Sequence, residues 1–300
     1  MQEIYPLSGR DMATLCPIQE ADLDPVCRFL HEELPSHIPV ADWLGLCRYP
    51  WLSDKPDYGF HLRHEGRVVG VILGLYSERS VAGQKALFCN LGSWCVLPAW
   101  RRESLRLLLA ALGRKGCHFT SLTPTAEVAA ICERLGFRRL PGRFWVVPAL
   151  SPTGFFSRRW EVVGDHAAIG ERLRGQAAED FRWHRRYPWL VHLALGDGGA
   201  GWSYLVGTFC RYKRLPMLRV LHASDPGILA GGLGPLAAGV RRRLGVALLS
   251  IPTRLVATRP VLAWAAEDTQ PRLYRPPAVG VPAGAGEVDF LYSEMVALEL

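Results

Sequence analysis

Apolar residues recur along the first 150 residues at two spacings, one typical of helices and one typical of strands. Between Leu23 and Leu34 they follow helical spacing after an acidic start, which predicts a helix over 22–34. Two apolar runs at 59–63 and 68–76 flank a polar turn and predict a hairpin. The other predicted elements are strands at 13–18, 86–96, 118–122 and 144–147, and helices at 40–48, 104–112 and 125–135.

The second half of the chain repeats this order. Arg48-Tyr49-Pro50-Trp51 recurs as Arg186-Tyr187-Pro188-Trp189, and each copy follows a helical pattern and precedes a hairpin. This repetition predicts two tandem domains, 1–150 and 151–300, joined by a linker at 148–159. The elements predicted after the second copy are a hairpin at 190–209, a strand at 218–222, a Gly-rich turn, a helix at 235–243, a strand at 246–251, a Pro- and Gly-rich loop at 271–286 and a strand at 288–298.

The composition is that of a folded, weakly basic protein. Apolar residues make up 49% of the chain and charged residues 21%, which excludes a disordered chain. The net charge of +7 is spread over both halves without a dense Lys/Arg field, so a nucleic-acid partner is not expected. The N-terminus lacks a signal-peptide pattern and no apolar run has the length of a membrane span, so we expect no membrane partner.

The cysteines and histidines do not indicate a metal site. The eight cysteines contain no CxxC pair, which is unlike a secreted disulfide framework or a zinc site. His61 and His64 lie on opposite faces of one predicted strand, which is the wrong placement for sharing a metal ion. We therefore expect reduced thiols, no metal and a cytoplasmic protein.

The segment from Val96 to Leu109 predicts a strand end, a tight loop and a helix start. Free N–H groups and the positive end of the dipole at a helix start suit a pyrophosphate, and Arg101, Arg102 and Arg106 add positive charge there. An ordinary strand-to-helix connection with solvated arginines is the alternative.

Together with its surroundings, this segment resembles the GCN5-related N-acetyltransferase superfamily. Residues 16–23 resemble its opening strand and first helix, 66–74 its central hairpin, and 119–137, which end in Leu-Gly-Phe, its last strand–helix unit. The resemblance covers 13–147. It implies an α/β fold with a mixed α+β sheet, of the acyl-CoA N-acyltransferase type, in two tandem copies of which the second is degenerate.

The resemblance implies a sheet that opens between its fourth and fifth strands to hold acetyl-CoA or another acyl-CoA as co-substrate. An amine of a small molecule or peptide would attack the thioester directly. The backbone amides near Cys95, Val96 and Leu97 would hold the acyl carbonyl and the pantetheine.

The implied phosphate-binding segment consists of Arg101, Arg102, Glu103, Ser104, Leu105 and Arg106. It departs from the superfamily because Ser104 and Arg106 stand at its two glycine positions. Ser104 suits a helix start, whereas Arg106 either reaches a phosphate oxygen or blocks the site.

Three further residues are candidates for chemistry. Cys132 stands where many members place a tyrosine that protonates the departing thiolate, and a buried cysteine without a role is the alternative. Thr125 stands where members often have an asparagine that contacts the cofactor, and a helix N-cap is the alternative. Glu78 is the candidate general base, with a solvated partner of Arg79 as the alternative.

These observations predict an acyl-CoA-dependent N-acyltransferase, of the N-acetyltransferase type. One alternative is an inactive binding or regulatory module of the same fold, suggested by Ser104, Arg106 and Cys132. Another is a transferase whose donor is linked to a carrier protein or a tRNA. Arg241-Arg242-Arg243 is either a solvated helix face or a docking site for an acidic acyl carrier protein.

Overall fold

The computed structural model describes residues 12–34, 37–149, 159–199, 201–284 and 286–299. Most of the linker predicted at 148–159 lies outside them. The strands of the described residues form two mixed sheets with seven strands each.

The first half follows the predicted order of elements, with one short strand, β6, in addition. Each predicted helix has an apolar face that is buried, as helical spacing requires. The elements are β1 (Thr14–Pro17), α1 (Leu23–Glu33), α2 (Val40–Cys47), β2 (Gly59–His64), β3 (Arg67–Val81), β4 (Gln84–Val96), α3 (Ser104–Leu112), β5 (Cys117–Ser121), α4 (Ala126–Arg134), β6 (Arg138–Arg139) and β7 (Arg143–Pro148).

The second half follows the same order up to β12, with one short helix, α7, in addition. Its elements are β8 (Glu161–Val163), α5 (His166–Arg172), α6 (Gly175–His184), β9 (Val191–Gly196), β10 (Trp202–Tyr212), β11 (Leu215–Ala223), α7 (Pro226–Gly231), α8 (Leu233–Leu244), β12 (Leu248–Pro252), β13 (Trp264–Glu267), β14 (Leu273–Arg275) and α9 (Glu294–Ala297).

Three predictions in the second half are wrong. The Gly-rich turn before residue 235 is helical, because it forms part of α7 and α8. The loop at 271–286 contains the short strand β14. The strand predicted at 288–298 is absent, and a short helix, α9, lies there instead. The apolar residues that suggested a strand, among them Val296 and Leu298, bury their side chains in a core without the segment pairing with a strand.

The two sheets have equivalent strand arrangements. The first has the order β1-β2-β3-β4-β5-β14-β6 and the second β8-β9-β10-β11-β12-β7-β13. In each sheet all neighbours are antiparallel except one central pair, which is β4 with β5 in the first sheet and β11 with β12 in the second. A single parallel pair needs a crossover helix, and α3 and α8 supply it.

Each sheet takes its sixth strand position from the other half of the chain. β14 lies between β5 and β6 in the first sheet, and β7 lies between β12 and β13 in the second. The pairing therefore crosses the division predicted at residue 150. Division into domains 1–150 and 151–300 stays a prediction.

One hydrophobic core joins the two halves. It contains Leu30 and Trp43 from the first half, Phe181 and Tyr204 from the second, and Val296 from the C-terminal segment. Separate cores lie on the outer faces of the two sheets. Each of the eight cysteines is a free thiol.

Candidate active site

The first sheet opens where the pairing between β4 and β5 stops. The two strands pair from Leu87 opposite Cys117 to Asn90 opposite Thr120. Beyond Asn90, β4 continues to Val96 and stays paired with β3 on its other side. Backbone groups on the free side of β4 therefore face a gap, and the opening predicted between these two strands is confirmed.

Asn90 holds the base of this opening. Its side chain is fully buried, and Nδ2 lies 3.2 Å from Thr120 Oγ1 on β5. Asn90 Oδ1 accepts a hydrogen bond of 3.2 Å from the backbone N–H of Glu294 on α9. One buried amide thus connects both edges of the opening with the C-terminal helix, which fixes their spacing.

A β-bulge follows in β4. Between Gly92 and Cys95, β4 contains one residue more than the stretch of β3 opposite it. Ser93 has a φ of +52°, in the left-handed region that non-glycine residues rarely adopt. Simple alternation places Asn90 and Ser93 on opposite faces, but the bulge interrupts the alternation and both contact Glu294.

A cavity of about 960 Å³ extends from the opening into the contact between the two halves. β4 lines it with Leu91 and Trp94, and α4 lines it with Cys132. The second half contributes Trp189 and Phe209, so neither half encloses the cavity alone. Its walls are largely apolar, with a few polar groups near the opening, which is typical of a small-molecule site.

Glu294, the first residue of α9, places its carboxylate in the opening. The residue is 4% exposed. Its Oε2 lies 3.5 Å from Ser93 Oγ on β4, and the hydroxyl of Thr123, just beyond β5, donates to Oε1. The carboxylate therefore contacts both edges of the opening. A Cβ atom at Gly92 would overlap the carboxylate, so the glycine makes room for it.

The environment of Glu294 favours its neutral form. Burial raises the pKa of the carboxyl group above its ordinary value, and the hydrogen bonds from Thr123 and Ser93 offset only part of this effect. Among the described residues, no cationic side chain forms an ion pair with Glu294. The carboxylate therefore takes up a proton more readily than an exposed glutamate.

The segment that carries Glu294 is anchored on both sides. The hydroxyl of Ser293 donates to the Phe290 carbonyl at 2.6 Å, and Trp189 Nε1 donates to the Val296 carbonyl at 2.9 Å. Trp189 belongs to the second copy of the repeated tetrapeptide, so this copy helps to hold the C-terminal segment in place.

Solved structures share this architecture. A GCN5-related N-acetyltransferase from Anabaena variabilis superposes with a TM-score of 0.59 at 12% identity, over 88% of this chain and 72% of its own. One from Kribbella flavida gives 0.56 at 15% identity, over 87% and 70%. Eis1 from Mycobacterium abscessus gives 0.55 at 14% identity, over 87% and 73%. No protein-family model and no curated protein sequence matches the chain.

The chain has the GCN5-related N-acetyltransferase fold. Identities this low establish the fold alone.

Among the three backbone amides predicted to contact the acyl donor, that of Leu97 is already engaged, because it donates to the Val69 carbonyl at 3.0 Å. N–H groups alternate along an antiparallel pair, so the amide of Cys95 also faces β3 and that of Val96 faces the opening. The geometry leaves Val96 as the available donor of the three. Binding of an acyl donor by this amide stays a prediction.

The predicted tight loop before α3 is a 3-10 helix, Pro98–Glu103. The Ser104 amide donates to the Arg101 carbonyl, so this N–H group is satisfied within the turn and is not free for a phosphate. The side chains of Arg101, Arg102 and Leu105 are exposed. Phosphate binding by this segment stays a prediction, and the exposed side chains of Arg101 and Arg102 are now its main candidates for the phosphate contact.

Arg106 points away from the opening. Its Nη1 donates to the Ala13 carbonyl at 3.1 Å and pairs with Glu103, and Glu103 Oε1 accepts from the Ala13 amide at 3.3 Å. These contacts tie the start of α3 to the chain just before β1. The alternative in which Arg106 blocks the opening is therefore wrong.

Cys132 and Thr125 both line the cavity. Burial raises the pKa of the Cys132 thiol to about 11, so the thiol stays protonated at neutral pH. Thr125 caps α4, since its Oγ1 accepts from the Val128 amide at 3.3 Å. The proton-donor role of Cys132 and the cofactor contact of Thr125 stay predictions.

Glu78 does not reach the opening, and its assignment as general base is wrong. It pairs with Leu87, at the end of β4 where the sheet is still closed. Its side chain is 54% exposed, with Oε2 at 3.4 Å from Lys85 Nζ. The reason is the length of β3, which continues to Val81 and carries Glu78 away from the cleft.

Glu294 lines the opening and the cavity, but it is not among the candidate residues predicted from the sequence. The apolar residues around it suggested a strand at 288–298, which left no reason to place a carboxylate in the first half. A glycine inside a strand often marks a bulge or a close approach, and Gly92 carried that signal.

The second sheet has an equivalent opening, and an arginine side chain crosses it. β11 and β12 separate after Arg219 opposite Ser250. Arg254, just beyond β12, crosses the gap and donates to the Leu221 carbonyl on β11 at 2.5 Å. The guanidinium therefore bridges the two edges of this gap.

Within the part of the chain that the structure describes, no helix combines the length and apolar character that a membrane crossing requires. In that same part, no group of three or more His, Cys, Asp or Glu side chains is arranged to hold a metal ion.

Proposed function

We propose that this protein is an acyl-CoA-dependent N-acyltransferase of the acetyltransferase type, acting in the opening of the first sheet. The observation that carries the proposal is the separation of β4 from β5 after Asn90, next to a bulge and a cavity of about 960 Å³. A free strand edge binds extended groups through main-chain hydrogen bonds, and the pantetheine arm, with its two amides, is such a group.

In the proposed reaction, the acyl thioester lies against the free edge of β4, where the Val96 amide donates a hydrogen bond. The amine nitrogen attacks the thioester carbonyl carbon, and N–H groups stabilise the negative charge that develops on the oxygen. The C–S bond then breaks, and Cys132 donates a proton to the departing sulfur.

The second half completes the acceptor pocket in this proposal. Trp189 and Phe209 of the second half line the cavity. Arg254 bridges the equivalent gap of the second sheet, so we assign acyl-CoA binding to the first sheet alone. The acceptor is an amine on a small molecule or a peptide that enters between the halves.

The test is the release of free thiol from acetyl-CoA and from longer acyl-CoAs in the presence of primary amines and lysine-containing peptides. We expect amine-dependent release of CoA and formation of the matching amide. Binding of acyl-CoA without turnover supports the inactive module instead. A folded protein that neither binds nor turns over any of these donors contradicts the proposal, and an acyl-carrier-protein donor is then the next substrate to test.

A further inference from the structure

We propose that Glu294 is the general base that deprotonates the acceptor amine, and that the second half of the chain supplies it to the opening in the first. This inference rests on the proposed N-acyltransferase function and adds a catalytic residue to it. It also assigns the second half a chemical role, because α9 follows the last strand of that half.

The position of the carboxylate carries the inference. Glu294 contacts Ser93 at the β4 bulge and Thr123 beyond β5, so it spans the gap at the level where the strands have just separated. It also lines the cavity that the two halves share. An amine bound in this cavity can therefore contact the carboxylate beside the free edge of β4.

Keeping the Glu294 carboxylate in the opening is unfavourable in free energy. Burying a carboxylate without a cation is unfavourable, and Glu294 has two hydroxyl donors in place of an ion pair. Position 92 must also lack a side chain. Replacing a carboxylate with a structural role alone by glutamine would change the reaction with every acceptor alike, so a loss confined to protonated amines is informative.

The other titratable and charged side chains that line the cavity are less suited to this role. Arg219 is paired with Asp268 at 3.8 Å, and Glu299 is exposed near the C-terminal end. Neither contacts β4 or the end of β5 through a hydrogen bond. The full set in the cavity is His37, Cys132, Cys210, Arg219, Glu294 and Glu299.

The proton balance of the step is simple. The ammonium form of the acceptor gives one proton to Glu294, and the neutral nitrogen forms the C–N bond with the thioester carbon. As the C–S bond breaks, the nitrogen loses its second proton and the sulfur takes up one. The products are an amide and a free thiol, and Glu294 returns its proton to solvent.

The test compares two acceptors that differ in their need for a base. 2-Phenylethylamine is protonated at neutral pH and must lose a proton before attack, whereas methoxyamine is already neutral. For Glu294→Gln we expect acetyl transfer from acetyl-CoA to 2-phenylethylamine to fall by about 100-fold, the range of a lost general base. Transfer to methoxyamine should fall far less, and acetyl-CoA affinity should not change.

Asp180→Asn is the matched control. Asp180 is also 4% exposed, also accepts a hydroxyl hydrogen bond, from Tyr292, and does not line the cavity. Its substitution should leave the ratio of the two rates unchanged. Gly92→Ala is a second variant, which displaces the carboxylate without removing it, and it should change the ratio in the same direction as Glu294→Gln.

Equal losses with both acceptors in Glu294→Gln, or no loss with either, overturn the inference and leave the transferase function standing. A parent protein that transfers acetyl to neither amine overturns the proposed function, and this inference with it.

Discussion

The proton-donor role proposed for the Cys132 thiol can be tested separately from the contribution of this side chain to packing. It is buried on α4 and lines the cavity. If it protonates the leaving thiolate, Cys132→Ala should lower kcat on the order of 100-fold, with little change in the KM for acetyl-CoA. Steady-state kinetics of thiol release measures both constants.

Cys117→Ala is the control for that substitution, because Cys117 is equally buried but lies on β5 and does not line the cavity. Burial raises the pKa of the Cys132 thiol to about 11, so its contribution to the rate should persist up to about pH 9. An unchanged kcat in Cys132→Ala would reduce this thiol to a packing residue.

Two buried histidines should lower the free energy of unfolding at acidic pH. Burial lowers the pKa of both His184 and His192 to about 4. The unfolded chain therefore binds protons at higher pH than the folded chain, so the stabilisation is complete above about pH 6.5 and is lost as pH falls towards 4. We expect a loss on the order of 2–3 kcal/mol of unfolding free energy for each histidine at pH 4.

Urea unfolding between pH 7 and pH 4 measures this loss. The double substitution His184→Gln and His192→Gln should weaken the dependence of the unfolding free energy on pH. The control is His64→Gln, which should leave this dependence unchanged, because the His64 ring beside Trp100 is only half-buried. A slope that the double variant leaves intact would show that other groups control the acid sensitivity.

At the scale of elements, the start of α3 is where we expect an anionic ligand to bind. Arg101 and Arg102 are exposed beside a helix start, and an exposed ion pair with an anion contributes about 0.2–1 kcal/mol. Replacing both by alanine should weaken acetyl-CoA binding by about tenfold at low salt and by less at high salt.

Calorimetric titrations at two salt concentrations test this, with Arg241→Ala and Arg242→Ala on α8 as the control pair. Equal effects of the two pairs would mean that general positive charge, rather than the α3 start, attracts the cofactor.

Most elements of the first half could be predicted because their signals are local. The spacing of apolar residues in α1, the turn between β2 and β3, and the helix cap at Thr125 each depend on a few neighbouring residues. β14 could not be predicted, because three residues in a Pro- and Gly-rich stretch give no pattern and its partners are about 150 positions away.

The candidate site could be predicted only where it belongs to the first half. The opening after Asn90 and the cavity positions of Cys132 and Thr125 follow from motifs in 119–137. The position of Glu294 depends on a contact with Asn90, which lies about 200 residues away in the sequence. The position of Glu78 depends on the length of β3. Contacts of this kind come from the packing of the halves, which local patterns do not encode.

At the scale of the whole molecule, the exchange of β7 and β14 links the two halves. Removing residues 151–300 would take β14 from the first sheet and leave β7 without its sheet. We therefore expect one cooperative unfolding transition for the full chain and no stable fold for residues 1–150 alone. Calorimetric and van't Hoff enthalpies should agree for the full chain.

Leu273→Ala tests the linkage directly. Leu273 is fully buried on β14, so the substitution should cost about 2–5 kcal/mol. Because β14 is held by both halves, the whole transition should move to lower temperature. Two separate transitions, with only one of them shifted, would contradict the linkage.

The central claim is that acyl-CoA binds in the opening of the first sheet, and titration calorimetry of acetyl-CoA with two variants of α4 tests it most directly. Val128 lines the cavity, whereas Ala130, on the same helix, is exposed and does not. We predict that the parent and Ala130→Trp bind acetyl-CoA alike, and that Val128→Trp loses binding while remaining folded. Equal binding by all three proteins would contradict the claim.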